Sequence, residues 1–199
     1  MELGDSPLAG ARLERVRLRG ISLEERSAPD LRLAECRLEA VALDGCEAAG
    51  LTLSDVVVAG GSWANLRAVR GSLARVEARE VRSTGADFAE AALRDVVFDG
   101  CPLDLASFRF ARLARVAFVD CRLEEADFHG ATLSSVRFER CGLSGASFEN
   151  VSFSRSELSA CEWDGLVGAE SLAGTRIPIA DVLQLAPALA AALGISIVD

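Results

Sequence analysis

The chain has no lysine, no tyrosine and a single histidine among 199 residues. Arginine alone supplies the positive charge: 21 bases face 30 acids, a net charge of −9. That balance disfavours a protein that grips nucleic acid by neutralising phosphates. With only His129, a histidine-rich metal site or a Ser-His-Asp constellation lacks its parts. None of the six cysteines stands in a C-x-x-C pair, the spacing of zinc and thiol-redox motifs. "VAGGSW" matches neither a phosphate loop nor a dinucleotide fingerprint. Long apolar runs are missing too. "LAPALAAALGI" is too short to cross a bilayer, and "MELGDSPLAG" lacks the basic segment and apolar run of a secretory signal. These absences lead us to expect a cytoplasmic, soluble chain with no enzymatic chemistry, metal or cofactor.

What is present is a period. From Leu8 to Trp163, residues whose numbers end in 3 or 8 are nearly all large and apolar, and those ending in 1 or 6 are small or β-branched. The register does not slip between residues 6 and 165. Although 26% of the chain is charged, Arg26 is the only charge on either set of positions. A period of five suits neither an amphipathic helix nor a flat strand. It suits a chain that turns a corner every five residues. Four corners close a square, and the square repeats every twenty, as stacked identical units do in solenoids.

The columns at twenty-residue spacing agree. Val76, Val96, Val116 and Val136 align, as do Cys101, Cys121, Cys141 and Cys161. Phe88, Phe108, Phe128 and Phe148 form one column, and Phe98, Phe118 and Phe138 form another on the opposite wall. The expected fold is all-β, a quadrilateral parallel β-helix of about eight coils over 6–165. One flaw is expected at "RSAPD" (26–30), where Pro29 and inward-placed Arg26 suggest a bulge or loop. The cysteines read as small hydrophobes filling a wall.

After residue 165 the period dissolves. In 166–199, Pro178 and Pro187 each suit the start of a short helix, Gly194 suits a stop, and "ISIV" suits a strand. The apolar residues Ile177, Ile179, Val182, Leu183, Leu185, Leu189, Leu193 and Ile195 make this segment a cap on the last coil, a dimer interface, or both.

Charge divides by wall. The wall of Leu103, Leu123 and Leu143 carries Glu24, Glu25, Asp44, Asp104, Glu124, Glu125, Glu162 and Asp164 against Arg82 and Arg122. The opposite wall carries Arg12, Arg15, Arg32, Arg75, Arg94, Arg112, Arg115 and Arg155 against four acids. An acidic docking face back to back with a basic one is the expectation.

The units "ADFAE", "ADFHG" and "ASFEN" resemble the A(D/N)LXX unit of the pentapeptide repeat family. The resemblance covers about four-fifths of the chain and implies a right-handed helix sense. Gyrase-protecting members of the family carry a C-terminal module and dimerise through it. The resemblance therefore implies a protein that binds DNA gyrase or topoisomerase IV as a DNA mimic, with no direct nucleic-acid contact and no membrane. Asp104, Glu124 and Glu125 are then the leading contact candidates. A scaffold for an unrelated protein partner is the alternative.

Overall fold

The computed structural model describes residues 8–196. A twenty-residue coil has four walls of five residues, named here from the coil 111–130 as the Leu113, Phe118, Leu123 and Phe128 walls. Strands line the first two. On the Leu113 wall, β1 (Arg12–Glu14), β3 (Arg32–Ala34), β5 (Thr52–Ser62), β6 (Ser72–Arg79), β7 (Ala92–Asp99), β8 (Arg112–Val119), β9 (Thr132–Ser134) and β11 (Ser152–Ser154) stack in order. β2 (Arg17–Arg19), β4 (Arg37–Ala42), β10 (Arg137–Glu139) and β12 (Glu157–Ser159) lie on the Phe118 wall, which β5 to β8 reach by running on around the corner. All pairings are parallel and in register at a step of twenty, from Leu13 opposite Leu33 to Leu133 opposite Phe153. Those eight rungs are separated by seven turns of the solenoid.

The corner is a backbone event. Every residue whose number is a multiple of five, from Gly10 to Gly165, has positive φ. On the Leu123 and Phe128 walls each corner closes a β-turn such as Ala126 N–H to Leu123 O, 3.1 Å, with the positive-φ residue third, as a type II turn requires. On these walls the second, third and fifth residues donate N–H groups to neighbouring coils. The fourth N–H has no backbone acceptor. Asp127 fills that gap by accepting from the His129 N–H at 2.8 Å, and Asp87 accepts from Ala89 at 3.0 Å. Asp or Ser at the second place can thus close an Asx- or ST-turn within its unit.

The same accounting corrects the expected flaw at "RSAPD". Pro29 occupies the fourth place, whose N–H the ladder does not use and where a turn favours proline. Asp30 takes the normal corner at φ 57°, and Ala28 is fully buried. The coil is regular, and Arg26 is half-buried at the N-terminal end.

Side chains then fill the interior. Phe88, Phe108, Phe128 and Phe148 stack at centroid spacings of 5.4, 4.9 and 5.1 Å, and Phe98, Phe118 and Phe138 at 5.2 and 5.0 Å. The two columns meet edge-on across the core, as between Phe118 and Phe128 at 6.1 Å. Toward the N-terminus, Ala28, Ala48 and Ala68 replace the first column. Leu31, Leu51 and Leu66, on positions that are small elsewhere, restore the lost volume.

Beyond Gly165 a 3-10 turn (Ala169–Leu172) leads to α1 (Ile179–Ala192). Two short helices were expected; there is one, and Pro187 lies inside it. Gly194 follows the helix end at φ 70°. Ile195 and Ser196 form no strand, and the rest of "ISIV" lies outside the described residues. Arg176 and Asp181 close the sheet edge. Leu158 N–H donates to Arg176 O at 3.0 Å, and Ala160 N–H donates to the Asp181 carboxylate at 2.8 Å, where a further coil would offer its carbonyl. No helix among the described residues is long and apolar enough to cross a membrane.

Candidate partner-binding surface

The eight acids expected on the Leu123 wall divide into two groups. Glu24, Glu25, Glu125, Glu162 and Asp164 are exposed. Asp44, Asp104 and Glu124 are partly buried and turn toward neighbours. Asp44 accepts from the Ser62 hydroxyl, from Ala64 N–H at 3.0 Å and from Arg82 at 3.4 Å. Asp104 pairs with Arg122 at 2.7 Å and shares a hydrogen bond with Glu124 on the next coil. Glu124 folds over Gly142, where a Cβ would collide with its carboxyl group. One of its oxygens is buried without a partner.

Two carboxyls on adjacent rungs with one guanidinium between them cannot both ionise freely. Burial, then the hydrogen bond to Asp104, pushes the Glu124 carboxyl up to about 7. Burial alone would raise Asp104 as well, but its hydrogen bonds with Glu124 and Arg122 hold it below the usual carboxylate range. Glu124 and Asp104 therefore make a proton-sharing pair. The wall's outward negative charge rests on the five exposed acids.

On the Leu113 wall three of the eight expected arginines are neutralised at corners. Arg15 meets Glu35 at 3.0 Å, Arg75 grips Asp55 through two bonds of 2.5 and 2.6 Å, and Arg115 does the same to Asp95. Arg140 and Asp120 repeat the device on another corner at 2.7 and 2.8 Å. These pairs join residues one turn apart, so they act along the solenoid axis.

The cysteine thiols belong to the scaffold. All six are buried and free. Cys121 donates to Phe98 O at 3.4 Å and Val119 O at 3.3 Å, and Cys101 and Cys141 repeat the pattern. Burial, then the charge of Glu47, pushes the Cys46 thiol up to about 11. His129 stacks edge-on against Phe110 at 5.5 Å and lies 3.8 Å from Glu149. No group of three or more His, Cys, Asp or Glu among the described residues is arranged to hold a metal.

Charge patterning did not reveal two apolar corners. Leu105 and Phe110 flank one edge and the other of a single Phe128-wall unit, 57% and 54% exposed, at φ 59° and 56°. Arg109 between them lies over the Phe110 ring at 5.6 Å and pairs with Asp127 at 2.6 Å. The signal lay in the sequence: most other corners are glycine or polar, and these two are bulky and apolar.

On α1, Leu185 is buried against the chain itself, and Val182 and Leu189 are half-buried. Together with Leu172 and Ile177 they line a groove of about 390 Å³. Ile179, Leu183, Leu193 and Ile195 project outward, Leu183 73% exposed.

Seven turns of parallel strand around a packed core, with charge sorted by wall, define a β-solenoid. Residues 72–148 match the family model described as pentapeptide repeat region. The corner geometry of that matched region continues in both directions, from residue 10 to 165. Similar solved structures include full-length QnrB1, a plasmid-mediated fluoroquinolone resistance protein, at 14% identity over 90% of this chain and 99% of that one, TM-score 0.44. HetL, involved in heterocyst differentiation regulation in the cyanobacterium Nostoc, is 17% identical over 82% and 88% of the chains, TM-score 0.36. A pentapeptide repeat protein from the Arabidopsis thaliana thylakoid lumen is 23% identical over 45% and 63%, TM-score 0.43. The search of curated proteins finds no match.

Proposed function

We propose that this protein is a non-enzymatic, cytoplasmic binding rod that occupies the DNA groove of DNA gyrase or topoisomerase IV and thereby protects the enzyme from topoisomerase poisons. The observation that carries this reading is the Leu123 wall, where Glu24 and Glu25, Glu125, and Glu162 and Asp164 are exposed at one end, the middle and the other end. Seven rises at strand spacing span roughly 34 Å, and duplex DNA of that length carries about 20 charges. The mimicry is therefore partial, resting on rod shape and a few placed carboxylates. A homodimer through Ile179, Leu183, Leu193 and Ile195 lengthens the rod and continues the acidic face.

The test is plasmid supercoiling by purified gyrase with the protein added, with and without a quinolone. We expect rescue from the drug or direct inhibition. Reversing Glu25, Glu125 and Asp164 to arginine abolishes the effect while leaving the melting temperature nearly unchanged. No effect on several bacterial gyrases and topoisomerase IV overturns the reading.

Leu105 and Phe110 favour a second reading, a scaffold for an unrelated protein. Exposed aromatic and aliphatic anchors beside an arginine are the chemistry of protein interfaces. A partner taken up through these corners loses affinity on Phe110→Ser and tolerates reversal of the Leu123-wall acids.

A further inference from the structure

Arg12 and Arg32 are Cα partners in the parallel ladder of β1 and β3. Their side chains leave the Leu113 wall in the same direction, about 4.8 Å apart at their bases. Like charges directly opposite on neighbouring strands are destabilising, so an anion between them relieves a stacked arginine pair. The neighbouring wall shows how this fold supplies one. Arg17 and Arg37 are stacked in the same register, and Glu39 bonds both, at 2.6 and 2.7 Å. Hydrogen bonds from Arg17 and then Arg37 hold the Glu39 carboxyl down at about 2.

Around Arg12 and Arg32 that counter-ion is missing. The residue two places after Arg32, equivalent to Glu39 after Arg37, is Ala34. Glu14, two places after Arg12, lies 3.3 Å from Arg15 instead. Neither Arg12 nor Arg32 has a carboxylate within ion-pair distance among the described residues. The space over Ala34 is a groove of about 210 Å³ lined by both arginines, Glu14, Thr52 and Ser54. The Thr52 hydroxyl donates to Gly50 O at 3.3 Å, while the Ser54 hydroxyl is unengaged among the described residues.

We propose that Arg12, Arg32 and Ser54 form an oxyanion site that takes a phosphate group. Two adjacent cations match the double charge of a phosphate near neutral pH. Its tetrahedral oxygens serve both guanidinium forks and a hydroxyl at once. Glu14 stays engaged with Arg15 at the groove's edge. The site faces away from the Leu123 wall, so it stands independently of the gyrase reading. Free phosphate and a phosphate ester share this chemistry.

The test is calorimetric titration of the full chain with inorganic phosphate, ionic strength held constant with potassium chloride. Wild type, the Arg12→Gln/Arg32→Gln double variant and Arg112→Gln are compared. Arg112 sits in the same column between Ala92 and Thr132 and has no stacked arginine. Saturable binding in wild type and Arg112→Gln, weakened at least roughly tenfold in the double variant, is the expected result. O-phosphoserine in a parallel titration separates the sources: tighter binding than phosphate indicates an ester, equal or weaker binding the free ion. The double variant removes only exposed side chains, and a thermal melt at low salt should find it at least as stable as wild type. The proposal is overturned if wild type shows no saturable phosphate binding, if acetate binds as well as phosphate, or if the double variant keeps wild-type affinity.

Discussion

Ser83 donates its hydroxyl to Val81 O at 3.4 Å, an acceptor that Pro102, one turn further on, cannot reach because it has no N–H. At the equivalent place one coil later, Arg122 N–H donates to Cys101 O at 3.2 Å. Ser83 is 1% exposed in a column otherwise built from large apolar side chains, and its neighbour one turn earlier is Trp63, also 1% exposed. The serine thus yields volume to the indole and satisfies a carbonyl that the proline orphans. An unsatisfied buried carbonyl costs about 1–3 kcal/mol. We expect Ser83→Ala to lose about 1–2 kcal/mol in denaturant unfolding. In a Pro102→Ala background most of that loss should vanish, because residue 102 then donates its own N–H. Equal losses in both backgrounds in a double-mutant cycle would show that the two positions are not coupled.

Stability should carry a pH signature from Glu124. Its folded carboxyl titrates at about 7, above the unfolded value of 4.5. The stabilisation from its raised pKa is full below 4.5 and lost as pH rises through 7. Asp104 has the opposite sign: its folded value is depressed, so its contribution is present above 3.8 and fades in acid. Between these limits the pair holds one proton. Glu124→Gln keeps a donor toward Asp104 at every pH, so relative to wild type it should gain about 1 kcal/mol at pH 8 and nothing at pH 5, discounting for partial solvent access. Superimposable stability profiles for the two proteins would remove the pair from the account.

Leu105 offers a test of cost against use. A non-glycine residue held in the left-handed region is strained by about 1–2 kcal/mol. Its side chain is mostly exposed and therefore recovers little by burial. Leu105→Gly should raise stability by roughly 0.5 kcal/mol, since glycine also loses more entropy on folding. Higher stability with weaker partner binding marks a corner retained for its interaction. Higher stability with unchanged binding removes Leu105 from the interface.

The five-residue period placed the walls, the corners, the inward columns and the phenylalanine stacks, because each follows from one residue's position in its unit. Features that depend on a residue twenty positions away were not legible. Whether Glu124 faces solvent depends on Asp104 and Gly142, and whether Pro29 breaks a wall depends on which N–H groups the stacked coils use. Outward charge at Asp44 and Asp104 was overcounted for the same reason: arginines one and two turns on had already engaged them. Asp181 accepts the Ala160 N–H at the end of the ladder. Its role as substitute carbonyl emerges only where the ladder ends.

The C-terminal helix separates capping from association. Asp181 and Leu185 face the last coil, the first through its bond to Ala160 N–H and the second at 1% exposure. Ile179 and Leu183 face outward and contribute little to the fold of one chain. Leu183→Glu should leave the melting temperature within the range of a surface substitution, about 0.5 kcal/mol in unfolding free energy. If the exposed stripe joins two copies, the same change converts a dimer to a monomer in sedimentation equilibrium. Asp181→Ala and Leu185→Ala should each destabilise, by about 1–3 kcal/mol for the orphaned N–H and about 2–5 kcal/mol for the core leucine. Asp181→Asn, which keeps an acceptor oxygen, should recover most of the first loss. A monomeric wild type removes the dimer from the proposed function and leaves α1 as a cap alone. A Leu183→Glu protein that still sediments as a dimer moves the interface off this stripe.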